Sequence, residues 1–252
     1  MALSKNKIKY IHSLELKKNR SKERLFVAEG HKCVDELLNY FECKFVAATD
    51  YWMQSHNNFE CDEIEIVSQD ELSKVSLLKT PQDVLALFAI PERKPDLSEP
   101  STSLCLALDD VQNPGNVGTI IRLADWYGIE TIYCSTGCAD IYSPKTVQAT
   151  MGALGRVKIF YVDLVDFISK LNNAPIYGTL LDGKNIYNEH LENHGLIVMG
   201  NEGNGISPDI QKLVNHHLFI SNYPLGRKTS ESLNVAMATG IVCAEFRRRV
   251  QE

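Results

Sequence analysis

The sequence predicts an α/β protein: a small α/β domain followed by a larger domain with a parallel sheet. Short apolar runs alternate with helix-periodic segments along the whole chain, the signature of βα units. A proline- and serine-rich stretch, Pro91–Ser103, has no apolar periodicity and reads as a linker. It places domains at 1–92 and 104–252 with a linker over 93–103. The 252 residues suit two modest domains, and the 44% hydrophobic and 23% charged content is that of a globular protein. No apolar run approaches the ~20 residues of a membrane span. The basic N-terminus, MALSKNKIKYIHSLELKKNR, lacks the apolar core of a secretory signal, so a cytoplasmic protein with no membrane partner is expected.

In the first domain, Ile8, Ile11 and Leu14 mark a helix and Leu25–Ala28 a strand. Gly30–Tyr40 has helical spacing at Val34, Leu37 and Leu38. Phe45–Ala48 and Ile64–Val67 read as strands, and Ser68 and Glu71 form a capping box before a helix. Val84–Ile90 is a last strand. In the second domain the predicted strands are Leu104–Leu108, Ile129–Cys134, Ile159–Tyr161, Ile176–Leu181, Leu196–Met199 and His217–Ile220. Helices are predicted at Thr119–Tyr127, Pro144–Met151, Leu164–Asn172, Ser207–Leu213 and Ser232–Arg249. Strands separated by crossover helices imply parallel pairing.

The net charge of −6 argues against indiscriminate nucleic-acid binding, but the charges are unevenly placed. Lys5, Lys7, Lys9, Lys17, Lys18, Arg20, Lys22 and Arg24 face only Glu15 and Glu23, and Arg247–Arg249 end the last helix. These read either as a solvated helix face and a frayed tail or as a phosphate-tracking patch. The seven cysteines are scattered without a C-x-x-C, which favours reduced thiols. Cys134 and Cys138 make at most half of a metal site, and His190 and His194 lie in a turn-rich context, so no metal is expected.

Three loops directly follow strands of the second domain, where ligands of parallel sheets bind. The first is Asn113-Pro114-Gly115-Asn116-Val117-Gly118, leading to Arg122. The second is Gly200-Asn201-Glu202-Gly203-Asn204-Gly205-Ile206-Ser207. The third runs from Tyr223-Pro224-Leu225 to Ser232-Leu233-Asn234-Val235-Ala236 and on to Gly240. None is the G-x-G-x-x-G or G-x-x-x-x-G-K-[ST] of common nucleotide sites. Singly, each is an ordinary turn or helix cap.

Together the loops resemble the three motifs of the SpoU/TrmH family of the SPOUT superfamily. The first pattern, N-x-G-[NT]-x-G-x-x-x-R, is met by Asn113, Gly115, Asn116, Gly118 and Arg122. The second, G-x-E-x-x-G-[ILM]-S, is met by Gly200, Glu202, Gly205 and Ser207. The third, S-L-N-V-[SA]-x-A-x-[GA], is met from Ser232 to Gly240. Upstream of it, Tyr223-Pro224-Leu225 departs from the usual I-P-[ML], and Arg227-Lys228 form a charged insert. The first domain, from Ser4 to Gly30, more loosely resembles the family's ribosomal-protein-like RNA-binding module.

This resemblance implies a trefoil-knotted parallel sheet that transfers a methyl group from S-adenosylmethionine to a ribose 2′-hydroxyl of RNA. Ribosomal RNA ranks ahead of transfer RNA because of the extra N-terminal domain. It implies a homodimer that completes the active site, with the last helix (Val235, Ala238, Ile241, Val242) suited to the interface. Cofactor contacts are expected at Gly200, Asn201, Glu202, Gly203, Tyr223, Pro224, Leu225 and Leu233, and catalytic or positioning roles at Arg122, Asn116, Glu202, Ser232 and Asn234. The sulfonium is already an excellent leaving group, so the reaction asks for in-line placement and stabilisation of a developing alkoxide. Arg122 either clamps the adjacent phosphate and the oxyanion or activates the hydroxyl, for which its guanidinium is a poor base. A non-catalytic RNA-binding protein of the same fold is the alternative of another class; a nucleotide-dependent oxidoreductase would need the glycine fingerprint that is missing.

Overall fold

The computed structural model describes residues 3–56, 58–224, 227 and 232–250. Two compact units divide the chain: residues 1–92 with 140–156, and residues 93–139 with 157–252.

The first unit opens with α1 (Lys5–Ser13), whose N-terminus is capped by the Ser4 hydroxyl accepting from the Lys7 N–H at 3.1 Å. It is followed by α2 (Lys17–Glu23), β1 (Leu25–Glu29), α3 (His31–Leu37) and β2 (Cys43–Ala48). Next come α4 (Asp50–Met53), β3 (Ile64–Ile66), α5 (Gln69–Val75) and β4 (Val84–Ala89). Ser68 caps α5 through the Glu71 N–H, as the capping-box pattern predicts. The sheet order is β1-β4-β2-β3; β4 runs antiparallel to both its neighbours, and β3 is parallel to β2. Ile11, Leu14, Val27, Phe45, Leu72, Val75 and Leu85 form the core beneath it. Two helices were not expected from the pattern. The α2 sequence, KKNRSKE, has no apolar stripe, and α4 is a single turn.

Arg20 is what α2 buries. Its side chain donates to the carbonyls of Leu14 at 2.6 Å and Glu15 at 2.7 Å, and to Asp140 at 2.5 Å. That removes it from any phosphate-tracking patch. Lys7 is also engaged, with Glu63 at 2.6 Å and the Phe45 ring at 4.4 Å. The segment 140–156, expected within the 104–252 domain, folds with this first unit, and the reason lies in its side chains. Tyr142 packs on Phe26 with ring centroids 4.9 Å apart, Asp140 meets Arg20, and Arg156 pairs with Glu36.

In the second unit, β5 (Leu104–Leu108) leads into α6 (Pro114–Trp126) and β6 (Thr131–Cys134). After α7 (Pro144–Thr150), which belongs to the first unit, come β7 (Lys158–Tyr161), α8 (Leu164–Ser169) and β8 (Ile176–Asn185). The chain then forms β9 (Gly195–Met199), the short α9 (Pro208–Gln211), β10 (His216–Phe219) and α10 (Val235–Val250). All pairings are parallel and the order is β10-β8-β9-β5-β6-β7. The central strands β5 and β9 are buried along their whole length, which is why LCLAL and GLIVM are continuously apolar. The expected linker is not loose in its second half. The Tyr133 hydroxyl donates to the Asp96 carbonyl at 2.8 Å and the Thr131 hydroxyl to Glu99 at 2.6 Å, so 93–103 belongs to this unit. The expected knot involves the third loop, of which residues 225–226 and 228–231 lie outside the described residues.

Arg247 donates to the carbonyls of Tyr127 at 2.6 Å and Gly128 at 2.9 Å, tying α10 to the end of α6. Arg248 and Arg249 both pair with Glu245. The C-terminal arginines are therefore neither a frayed tail nor a free patch. Among the described residues no helix is long and apolar enough to cross a membrane, and no cluster of His, Cys, Asp and Glu could hold a metal ion.

Candidate active site

The first loop differs from its predicted shape. The pattern places a turn over Asn113–Gly118 and a helix from Thr119, whereas α6 begins at Pro114. Asn113 is its N-cap and accepts from the N–H groups of Gly115 at 2.8 Å and Asn116 at 3.2 Å. Proline fits N1 because its φ is preset and its missing N–H would have no partner there. Cap chemistry thus outweighs the weak helix propensity of Pro-Gly-Asn. It also has a functional consequence. The first-turn donors that could hold a phosphate are already used by Asn113.

The second loop is a closed hairpin. Asn201 and Gly205 exchange both backbone hydrogen bonds at 2.9 Å, and the Asn201 carboxamide oxygen accepts from the N–H groups of Gly203 and Asn204. Asn201 also donates to the Asp110 carbonyl at 2.7 Å, so its side chain is spent on the loop itself. Gly200 is required by close approach: a Cβ there would lie 2.2 Å from the Gly205 carbonyl carbon. Asp109 is a buried carboxylate at the end of β5 that accepts from the Ser207 N–H at 2.7 Å, joining the first two loops. Its signal in the sequence is an acid directly after a buried strand.

In the third loop, Asn234 accepts from the N–H groups of Ala236 and Met237, making it the cap of α10. Its carboxamide also donates to Asn116 Oδ1 at 3.1 Å, and Asn116 donates to Glu202 Oε1 at 2.7 Å. One residue from each predicted motif therefore meets in a chain, Asn234–Asn116–Glu202. Asn116 is the hub, because a carboxamide can donate to the acid and accept from the other amide at once.

Other expected site residues stand apart from this chain. Arg122 is exposed and, among the described residues, has no recorded hydrogen bond or ion pair. It lies six residues beyond Asn116 on α6, about 9 Å along the axis and on another face. Ser232 is exposed, Leu233 is half exposed, and Tyr223 is 90% exposed next to Pro224. Leu225 lies outside the described residues. Beneath the first loop, the Cys138 thiol donates to the Leu108 carbonyl at 3.1 Å. Hydrogen bonds from the Cys134 thiol, the Ser135 hydroxyl and the Val111 and Asp110 N–H groups hold it below the ordinary thiol range despite its burial.

Residues 103–244 match the SpoU rRNA Methylase family, and residues 5–86 match the MRM3-like substrate binding domain. The chain belongs to the SpoU rRNA methylase family. A curated relative is the 23S rRNA (guanosine(2553)-2′-O)-methyltransferase RlmP of Bacillus subtilis, 29% identical over 96% of each chain. Among solved structures, a putative RNA methyltransferase of the TrmH family from Porphyromonas gingivalis superposes with a TM-score of 0.90 at 39% identity, over 99% of this chain and 100% of that one. The AdoMet-bound rRNA methyltransferase of Sinorhizobium meliloti gives 0.82 at 27% identity, over 99% and 97%. Within the SpoU family, the Asn116 chain at the carboxyl edge of the sheet and the uncommitted Arg122, six residues further along α6, are the polar groups that most need a functional explanation.

Proposed function

We propose that this SpoU family member transfers a methyl group from S-adenosylmethionine to a ribose 2′-hydroxyl of ribosomal RNA in the cytoplasm. The observation that carries the reading is the Asn234–Asn116–Glu202 chain, which locks all three motif loops together. The cofactor supplies an electrophilic methyl group on a positively charged sulfur. The residues present fit it: Gly203 and Gly205 leave the hairpin main chain open, and Tyr223 and Leu233 offer uncovered aromatic and apolar surface. Gly200, Asn201 and Gly203 shape that backbone cradle, with Tyr223, Pro224 and Leu233 on the third loop as the other contacts.

Asn116, Glu202 and Asn234 hold the loops in register, and Ser232 lies at the entrance of the third. Arg122 keeps its donors free for the target phosphate and for charge developing on the ribose oxygen, a role suited to a fixed guanidinium fork. Its distance from the hub fits a homodimer in which Arg122 works at the partner's site. Exposed Trp126 (83%) and Met237 (64%), on the two helices joined by Arg247, give that interface apolar material. RNA is engaged first by the exposed lysines Lys5, Lys9, Lys17 and Lys18.

The test is a map of 2′-O-methyl positions in ribosomal and transfer RNA from cells with and without this protein. One ribosomal position should lose its methyl group; loss confined to transfer RNA overturns the substrate class. Calorimetry with S-adenosylmethionine gives an independent check, and no binding at high micromolar concentration would remove the enzymatic reading. Mixing Arg122→Ala with Glu202→Ala protomers should regain activity if the arginine acts across the dimer.

A further inference from the structure

The first unit contains a second kind of chemistry, unrelated to methyl transfer. Cys43 starts β2, and Cys61 stands just before β3 at the sheet edge. The parallel register of these strands pairs Val46 with Ile64 and Ala48 with Ile66. Continued three residues back, the same offset sets Cys43 against Cys61. The Asp62 N–H donates to the Cys43 carbonyl at 3.3 Å, which holds the two chain segments together beyond the regular ladder, where β2 shifts register against β4 between Cys43 and Phe45. Neighbouring strands run about 4.8 Å apart, inside the roughly 4.4–6.8 Å Cα separation of disulfides. The Cys43 thiol donates to the Phe45 carbonyl at 3.7 Å and the Cys61 thiol to the Glu63 carbonyl at 3.2 Å; the two sulfurs are near enough for Cys61 to act on the Cys43 thiol, and both are free. Cys43 is buried, whereas Cys61 is partly open to solvent.

We propose that Cys43 and Cys61 form a peroxide-sensitive dithiol that closes reversibly into a disulfide across the edge of the first unit's sheet. The Cys61 thiolate attacks a hydroperoxide; the O–O bond breaks, water or an alcohol leaves, and Cys61 becomes a sulfenic acid. The Cys43 sulfur then attacks the Cys61 sulfur, the S–O bond breaks, and the hydroxyl leaves as water with the Cys43 proton. Overall, two thiols and one hydrogen peroxide give one disulfide and two waters. The oxidant class follows from the surroundings. Glu42, Glu60, Asp62 and Glu63 flank the pair, with Lys44 bridging Glu42 and Asp62, so a small neutral peroxide approaches more readily than anionic glutathione disulfide. Burial and the neighbouring Cys61 raise the Cys43 thiol, which suits a resolving group rather than an attacking one. Cys134 and Cys138 also influence each other's titration, but both are buried, so they serve as an internal control.

The full chain is treated with hydrogen peroxide, blocked with N-ethylmaleimide and mapped by peptide mass spectrometry without reduction. The expected product is a linked Cys43–Cys61 peptide, reversed by dithiothreitol, with the other five thiols alkylated. Its formation should raise the melting temperature by a few degrees, a shift absent in Cys61→Ser. In Cys43→Ala, dimedone should trap a sulfenic acid at Cys61 that wild type does not accumulate. Cys61 oxidised in wild type while Cys43 remains alkylated would overturn the proposal, as would a Cys134–Cys138 link as the principal product. The wild-type map needs no variant to fold.

Discussion

Arg20 and Arg122 sit on helices of different units, the first among polar residues (KKNRSKE) and the second beside Ile120, Ile121 and Leu123. Arg20 is 3% exposed and spends its guanidinium on two carbonyls and a carboxylate. Arg122 is exposed, and among the described residues its guanidinium makes no hydrogen bond or ion pair. A buried cation with fixed partners is structural, because its charge is already answered and its removal strands a carboxylate. An arginine that keeps five donors uncommitted on an exposed helix face is available to a ligand. The contrast separates a residue whose charge the fold has used from one left available to a ligand.

Removing Arg122 should therefore have the largest effect on activity. Arg122→Ala is expected to slow methyl transfer about 10²–10³-fold, the loss typical of an oxyanion donor, with S-adenosylmethionine affinity and melting temperature unchanged. A pH–rate profile of Arg122→Lys distinguishes the roles: a clamp predicts a slower rate on an unshifted profile, a base predicts a new ionisation. Wild-type turnover by the lysine variant would end both. Arg20→Ala reverses the pattern. It should cost about 3 kcal/mol of stability by exposing Asp140 and freeing two buried carbonyls, while turnover well below the melting temperature is retained. Loss of activity without loss of stability in Arg20→Ala would erase the distinction.

The strands were legible because complete burial writes itself as LCLAL and GLIVM, and the helix of 69–75 because Ser68 and Glu71 announce it. The start of α6 was not legible, since Asn-Pro-Gly-Asn serves equally as a turn or as a cap and first turn, and packing decides. Nor was the placement of 140–156. Its own pattern is an ordinary capped helix, and only Phe26, Arg20 and Glu36, more than a hundred residues earlier, give it a home. The motif residues were found by spacing, but their division of labour was not. Asn116 as hub, Asn201 as a self-contained lock and Asp109 as a tie between loops are facts of geometry.

That division predicts a smaller effect at the hub. Asn116→Ala removes the donor to half-buried Glu202, a loss worth about 1–3 kcal/mol, and the acceptor for exposed Asn234, which costs less. Activity should fall roughly 10- to 100-fold, because the loops are misaligned rather than the reacting group lost. Asn116→Asp should be worse than Asn116→Ala, since it sets a carboxylate against Glu202. Equal activity of the two variants would mean that the chain of amides does not set the loop positions.

The smallest effect concerns a buried charge of the first unit that, unlike Arg20, has no ion-pair partner in direct contact among the described residues. Glu29 is buried at the end of β1 and accepts from the Leu77 N–H at 2.8 Å and from the Ser76 hydroxyl. Burial raises its carboxyl above the ordinary range, and these hydrogen bonds with the nearby His12 only partly offset that. A carboxyl raised on folding binds its proton more tightly in the native state. Its contribution is therefore fully present below the unfolded value and is lost as pH rises through the folded one. At neutral pH the charged form is a cost. Glu29→Gln keeps an acceptor for Leu77 and offers Ser76 a donor without the charge. Denaturant unfolding should show the variant modestly more stable than wild type at pH 7, by about 1 kcal/mol or less, with the difference shrinking toward pH 4. A variant less stable at pH 7 with an unchanged pH profile would show that the neutral donors alone fully compensate the buried carboxylate. In that case Glu29 would belong with Arg20 among the groups whose charge the fold has already answered.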